Sequence, residues 1–191
     1  VDLVPDFTER EIYCCGPEPY MQNVKKIAEN TFRETFGRYY EDFEVGHKYQ
    51  HRPGRTITET DNTWFTLLTM NTHPLHFDNE YAAASEFGKP LVNSAFTISL
   101  IVGMSVSDVS QKAIANLGWK EISLPAPVFV GDTLYAESEV LAKRESNSRP
   151  TAGIVTVKTI GKKADGTIVS DFDRVMLIPK RGHSVEDIAN Y

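Results

Sequence analysis

The segment from Ala95 to Val109 constrains the fold of this chain more than any other. Phe96, Ile98, Leu100, Ile101, Val102, Met104 and Val106 leave it apolar nearly all the way round. A helix without a polar face must be buried on most of its sides, so the rest of the chain has to wrap it. Four strand-like segments follow, within Asn116 to Phe129, Thr133 to Arg144, Gly153 to Lys162 and Thr167 to Pro179. Ala164-Asp165-Gly166 marks a hairpin turn between the last two. Long antiparallel strands after one apolar helix predict an α+β domain, a curved antiparallel β-sheet wrapped around a long buried α-helix.

Upstream, Tyr39 to Gly46 leads into a first strand near His47 to Ile57, interrupted around Pro53-Gly54. Thr58-Glu59-Thr60-Asp61 supplies caps for a helix from about Asn62 to Met70, with Trp64, Leu67 and Leu68 on one face. Residues 1–36 read differently. Glu11 to Cys15 suits a short strand, Gly16 to Pro19 a turn, and Tyr20 to Phe32 a helix with Met21, Val24, Ile27 and Ala28 at helical spacing. The expected organisation is an appended N-terminal segment (1–36), one main domain (37–182) and a short C-terminal tail (183–191).

Chemistry concentrates between Asn71 and Ser94. His73 and His76 flank Pro74, which cannot sit inside a regular helix and so holds both imidazoles on a turn. A helix-like run, Tyr81 to Phe87, and a Gly88-Lys89-Pro90 break separate them from Asn93-Ser94 at the start of the apolar helix. A histidine fixed on a turn above a buried helix suits acid–base work. Residue type alone leaves a structural role for the pair as open as a chemical one. Three residues apart and without a third ligand, they do not make a metal site. His47, His51 and His183 read as structural.

The chain has 20 Lys and Arg against 26 Asp and Glu, net −6, with no basic tract, which argues against nucleic acid. No apolar run reaches the roughly 18 residues needed to cross a membrane. Residues 1–11 lack the basic and apolar regions of a signal peptide. Cys14 and Cys15 are adjacent and give neither a disulfide framework nor a zinc pattern. These features point to a reducing cytoplasm.

Two resemblances emerge from the motifs. Cys15-Gly16-Pro17-Glu18-Pro19-Tyr20-Met21 resembles the final strand–turn–helix of ferredoxin-reductase-type NAD domains, over about thirty residues. A piece this small cannot bind a dinucleotide without the rest of the sheet, so nicotinamide chemistry is not expected.

The main domain resembles the MaoC-like dehydratases, the hydratase 2 group of (R)-specific enoyl-CoA hydratases, which adopt the hotdog fold. Met70-Asn71-Thr72-His73-Pro74-Leu75-His76 occupies the family's G-D-x-N-P-[apolar]-H motif, and Pro127-Val128-Phe129-Val130-Gly131-Asp132-Thr133-Leu134 its P-V-x-x-G-D-T-L. Tyr40 to Gly46 and Thr56 to Asp61 also look like the family. The N-T-H-P-x-H-F-D run from Asn71 to Asp78, together with Arg144 to Pro150, is most similar to mesaconyl-CoA hydratases, which also dehydrate β-methylmalyl-CoA.

The resemblance implies a hydratase or dehydratase acting on an enoyl-CoA thioester, with CoA part of the substrate and no separate cofactor. It also implies a homodimer or higher homo-oligomer, with the thioester entering at the subunit interface. His76 is the expected acid–base group, because imidazole titrates near neutrality. Asn71 would orient the water, and backbone N–H groups near Asn93 and Ser94 would hold the enolate oxygen. His73 and Asp78 are expected substrate contacts; Arg144, Arg149 and Lys143 are expected at the CoA phosphates, although the trio equally suits a solvated hairpin face. Two positions depart from the family: Asn71 stands where it has aspartate, and Asn93-Ser94 where it has His-Gly. An amide cannot take a proton. Two alternatives stand beside this reading: a hotdog thioesterase using Asp78, and a non-catalytic acyl-CoA binder.

Overall fold

The computed structural model describes residues 36–189. The chain divides into two units, Val1–Phe36 and Gly37–Tyr191, and the reductase-like strand, turn and helix lie outside the described residues. In chain order, the second unit begins with a 3-10 turn (Tyr40–Asp42), strand β1 (Lys48–Thr56) and helix α1 (Glu59–Leu68). A second 3-10 turn (Pro74–His76), helix α2 (Asn79–Ala83), helix α3 (Ser94–Met104) and a π-helical turn (Val106–Ser110) come next. Strands β2 (Ala115–Ser123), β3 (Thr133–Glu145), β4 (Ala152–Lys163) and β5 (Ile168–Pro179) follow, then a final helical turn α4 (Val185–Ala189).

The five strands form one antiparallel sheet in the order β1-β3-β4-β5-β2, and α3 packs across β1, β3, β4 and β5. This is the expected hotdog arrangement. Burial alternates along β3 and β4, as a sheet with one face on a helix requires. Ile101 of α3 approaches β4 at Gly161, where a β-carbon would sit 2.7 Å from the Ile101 side chain. Tyr40 does the same at Gly153, with 2.2 Å to its ring.

The core has two apolar ends. Phe43, Tyr49, Val140, Val155 and Met176 form one; Ile57, Ile101, Leu134, Val169 and Phe172 form the other, beneath α3. At the far end of α3 the buried Arg174 guanidinium donates to Ser105 Oγ at 3.0 Å. A cation there complements the negative end of the helix dipole, and burial lowers the Arg174 pKa to about 10.

Both longer helices differ in detail from the sequence expectation. The apolar segment does not run as one helix to Val109: α3 ends at Met104, and Ser105 leads into the π turn. Burial on most sides of α3 leaves one exposed stripe, Ala95, Ser99 and Gly103. Helix α1 begins earlier than Asn62, since Thr58 is the cap: Asp61 N–H donates to Thr58 Oγ1, and Thr58 N–H to the Asp61 carboxylate. Its apolar face, moreover, points to solvent, with Trp64, Leu67 and Leu68 at 64%, 53% and 76% exposure. The buried face is polar, Asn62 and Thr66. The register of β1 shifts between His51 and Arg55, around the cis Arg52–Pro53 bond, where the interruption was expected.

The segment 183–191, expected as a tail, is tied to the body at Glu186 and Asp187. Tyr39 donates to Asp187 at 2.7 Å, Lys112 pairs with Glu186, and Arg181 with Asp42.

Candidate active site

His76 closes the 3-10 turn that Pro74 opens. The fixed φ of proline suits a first helical position, and His73 caps the turn by accepting the Leu75 N–H at its Nδ1. At His76 the Nδ1 atom lies 2.8 Å from the Leu91 carbonyl oxygen. A carbonyl only accepts, so Nδ1 carries the proton and Nε2 the lone pair in the neutral ring. Nε2 is the atom a substrate or water would meet. The half-buried His76 lines a pocket of about 160 Å³ with Glu59, Asn62, Phe77, Lys89 and Val130 among its walls.

Asn62 assembles this corner, and no sequence motif pointed to it. Its Nδ2 donates to the carbonyls of His76 (2.7 Å) and Leu91 (3.1 Å), while its Oδ1 accepts the Asn93 N–H at 2.9 Å. One buried amide thus joins α1, the histidine turn and the entry to α3. Its only sequence signal was a polar residue at helical spacing with Thr66, whose hydroxyl accepts from Asn93 Nδ2 at 3.3 Å.

The remaining expected residues divide into two groups. Asn93 caps α3, its Oδ1 taking the Ala95 N–H at 2.9 Å. The Asn93 N–H goes to Asn62; in the first turn of α3 the Ala95 and Thr97 N–H groups are taken by Asn93, and those of Ser94 and Phe96 have no protein acceptor among the described residues. Asn71 accepts the His73 N–H at 3.0 Å and so braces the turn. The rings of His73 and His76 lie 5.9 Å apart, and His73 meets Tyr81 edge-on. Asp78 caps α2, accepting from Glu80 and Tyr81, so the carboxylate nearest the turn is occupied by backbone. Lys143, Arg144 and Arg149 do not line the His76 pocket. They sit around the β3–β4 connection, where Lys143 donates to the carbonyls of Tyr40 and Phe43, and Arg144 to that of Glu145.

His51, read as structural from the sequence, is fully buried in a polar chain. Its Nδ1 lies 2.7 Å from Asp108 and its Nε2 2.8 Å from Ser138 Oγ, which lies 2.9 Å from Thr159. Burial lowers the His51 pKa below the ordinary histidine value, against the pull of Asp108. Among the described residues no cluster of three metal-ligating side chains occurs, and no helix is long and apolar enough to cross a membrane.

Comparison with known proteins gives a consistent set of similarities. A family model described as mesaconyl-CoA hydratase matches residues 19–190, so its match reaches back into the segment before Gly37. A mesaconyl-CoA hydratase of Cereibacter sphaeroides is 34% identical over 145 residues, 76% of this chain and 42% of its own length. An (R)-specific enoyl-CoA hydratase of Aeromonas caviae is 34% identical over 116 residues, 61% of this chain and 83% of its own. The solved structure of a MaoC-like dehydratase from Rhodospirillum rubrum superposes with a TM-score of 0.68 at 27% identity, covering 76% of this chain and 99% of that one. This chain spans less than half the length of the first curated relatives it matches.

Proposed function

The chain belongs to the mesaconyl-CoA hydratase family, and on that premise we propose that it adds water to, or removes it from, the double bond of an enoyl-CoA thioester. Branched dicarboxylic thioesters such as mesaconyl-CoA are the proposed substrates. The observation that carries the reading is the His76 ring, which lines the pocket with its Nδ1 held by the Leu91 carbonyl, leaving Nε2 as the nitrogen able to exchange a proton.

In the hydration direction, Nε2 takes a proton from the water whose oxygen bonds the β-carbon, and the imidazolium returns that proton to the α-carbon of the resulting enolate. Asn71 spends its oxygen on the His73 N–H and keeps its amide hydrogens to orient that water. The enolate oxygen of the thioester is placed at the Ser94 N–H, where the positive end of the α3 dipole favours developing negative charge. Hydration is not a redox step, so the reading calls for no cofactor beyond the CoA of the substrate. A second hotdog, from another copy of the chain, is proposed to complete the site. Its support is the edge strand β2, which exposes Leu117, Trp119 and Ile122 and pairs on one side only among the described residues. The net charge and cysteine pattern favour the cytoplasm.

The test is a turnover screen with crotonyl-CoA, longer enoyl-CoAs and mesaconyl-CoA, following loss of the conjugated double bond and the stereochemistry of the product. Release of free CoA would make the protein a thioesterase; binding without turnover of any thioester would make it an acyl-CoA binder.

A further inference from the structure

The Lys89 ammonium lies 4.3 Å from the centre of the Phe129 ring, and the Lys163 ammonium lies 5.5 Å from the centre of the same ring. Lys89 lines the His76 pocket, whereas Lys163 lines a second cavity of about 470 Å³ at the β4–β5 hairpin. One aromatic ring therefore carries a cation from each of two cavities.

Irregular backbone builds the second cavity. Arg52 is exposed next to the buried His51 at the β1 register shift, and its guanidinium lies 5.0 Å from the centre of the Tyr135 ring and donates to the His51 carbonyl at 2.8 Å. Gly54 makes this possible, since a β-carbon there would sit 2.4 Å from Tyr135 Cε1. Lys162 pairs with Glu137 and Lys163 with Asp132, each at 2.7 Å. Each pair uses one ammonium hydrogen and leaves two donors per lysine. Among the described residues Arg52 makes no ion pair. The one carboxylate in the cavity lining, Asp165, is occupied by the Thr167 N–H at 2.9 Å.

An arginine without an ion pair, stacked on a tyrosine, and two lysines that keep donors beyond their carboxylate partners match phosphate groups at a concave wall. We propose that this cavity holds the nucleotide end of a CoA thioester, its phosphates on Arg52, Lys162 and Lys163. The pantetheine arm then runs past Phe129 and Lys89 to His76. The assignment rests on the CoA-thioester reading of the His76 site, and it moves the phosphates away from Lys143, Arg144 and Arg149.

The experiment has two arms on the full chain. Calorimetry measures binding of adenosine 3′,5′-bisphosphate to the wild type, to R52Q and to K162Q. Kinetics compare crotonyl-CoA with crotonyl-pantetheine, which carries no nucleotide. Each variant should weaken bisphosphate binding about tenfold, as expected for loss of one charge-assisted bond at a partly screened site. The kcat/KM for crotonyl-CoA should fall by a similar factor, with that for crotonyl-pantetheine unmoved and K162R restoring the loss. Unchanged bisphosphate affinity in both variants, or equal losses on the two thioesters, overturns the assignment. The calorimetric arm decides the cavity even if no thioester is turned over, so its failure is distinct from failure of the hydratase reading.

Discussion

The side-chain amide of Asn62 is hydrogen-bonded to the backbone carbonyl of His76 at 2.7 Å, and Asn62 is 1% exposed. The same amide receives the N–H of Asn93, so one residue sets the spacing between the imidazole and the first turn of α3.

Replacing Asn62 by alanine should therefore be costly. It strands the Asn93 N–H and the His76 carbonyl in a buried setting, which we expect to cost about 2–4 kcal/mol. Asn62→Asp keeps the acceptor for Asn93 but loses both donor bonds and buries a charge, so it should be no better. Urea unfolding measures both variants, and wild-type stability in either would show that the clamp is not needed.

His76→Ala should lower kcat by on the order of 10²–10⁴ while leaving the fold intact, because general acid–base groups contribute that much. Steady-state kinetics with a thermal melt make the comparison. Full activity in this variant would remove His76 from the mechanism.

Asn71→Asp discriminates between substrates. Aspartate can still accept the His73 N–H that Asn71 accepts, so the melting temperature should hold. A carboxylate at position 71 should raise activity on crotonyl-CoA. The same charge should repel the free carboxylate of mesaconyl-CoA and lower activity on that substrate. Parallel changes on both thioesters, or a large drop in stability, would contradict this account of Asn71.

His51 should leave a mark on stability against pH. Burial puts its folded pKa below the ordinary 6.5, while Asp108 opposes the shift and Arg174 and Arg52 reinforce it. Between the folded and unfolded values the unfolded chain binds more protons, so stability rises with pH there. The His51 contribution is complete above about pH 6.5 and is lost as pH falls through the lower folded value. His51→Gln should flatten this part of the profile in chemical denaturation at successive pH values. An identical slope in the variant would mean that His51 does not titrate on unfolding.

Local chemistry was legible in the chain by itself. The Thr58 and Asp61 cap, the proline turn at His73 and His76, the turn glycine at residue 166 and the strand runs depend on neighbours a few residues away. Each appears where short-range sterics and hydrogen bonding place it. The overall architecture followed from one apolar helix and the strands able to cover it. What only the tertiary structure decided depends on register and facing, which join residues far apart in sequence. Asn62 and Trp64 sit two positions apart on α1, yet the polar residue is buried and the tryptophan is outside. A hydrophobic-face rule cannot anticipate that, because hydrogen bonds to His76, Leu91 and Asn93 determine which side turns inward. His51 meets Asp108 and Ser138 only once β1 pairs with β3 beneath the π turn. Likewise, the basic residues that stood out as a run, Lys143, Arg144 and Arg149, gather around the β3–β4 connection. Arg52, Lys162 and Lys163, separated by over a hundred residues of chain, converge because antiparallel pairing brings the β1 bulge to the β4–β5 hairpin.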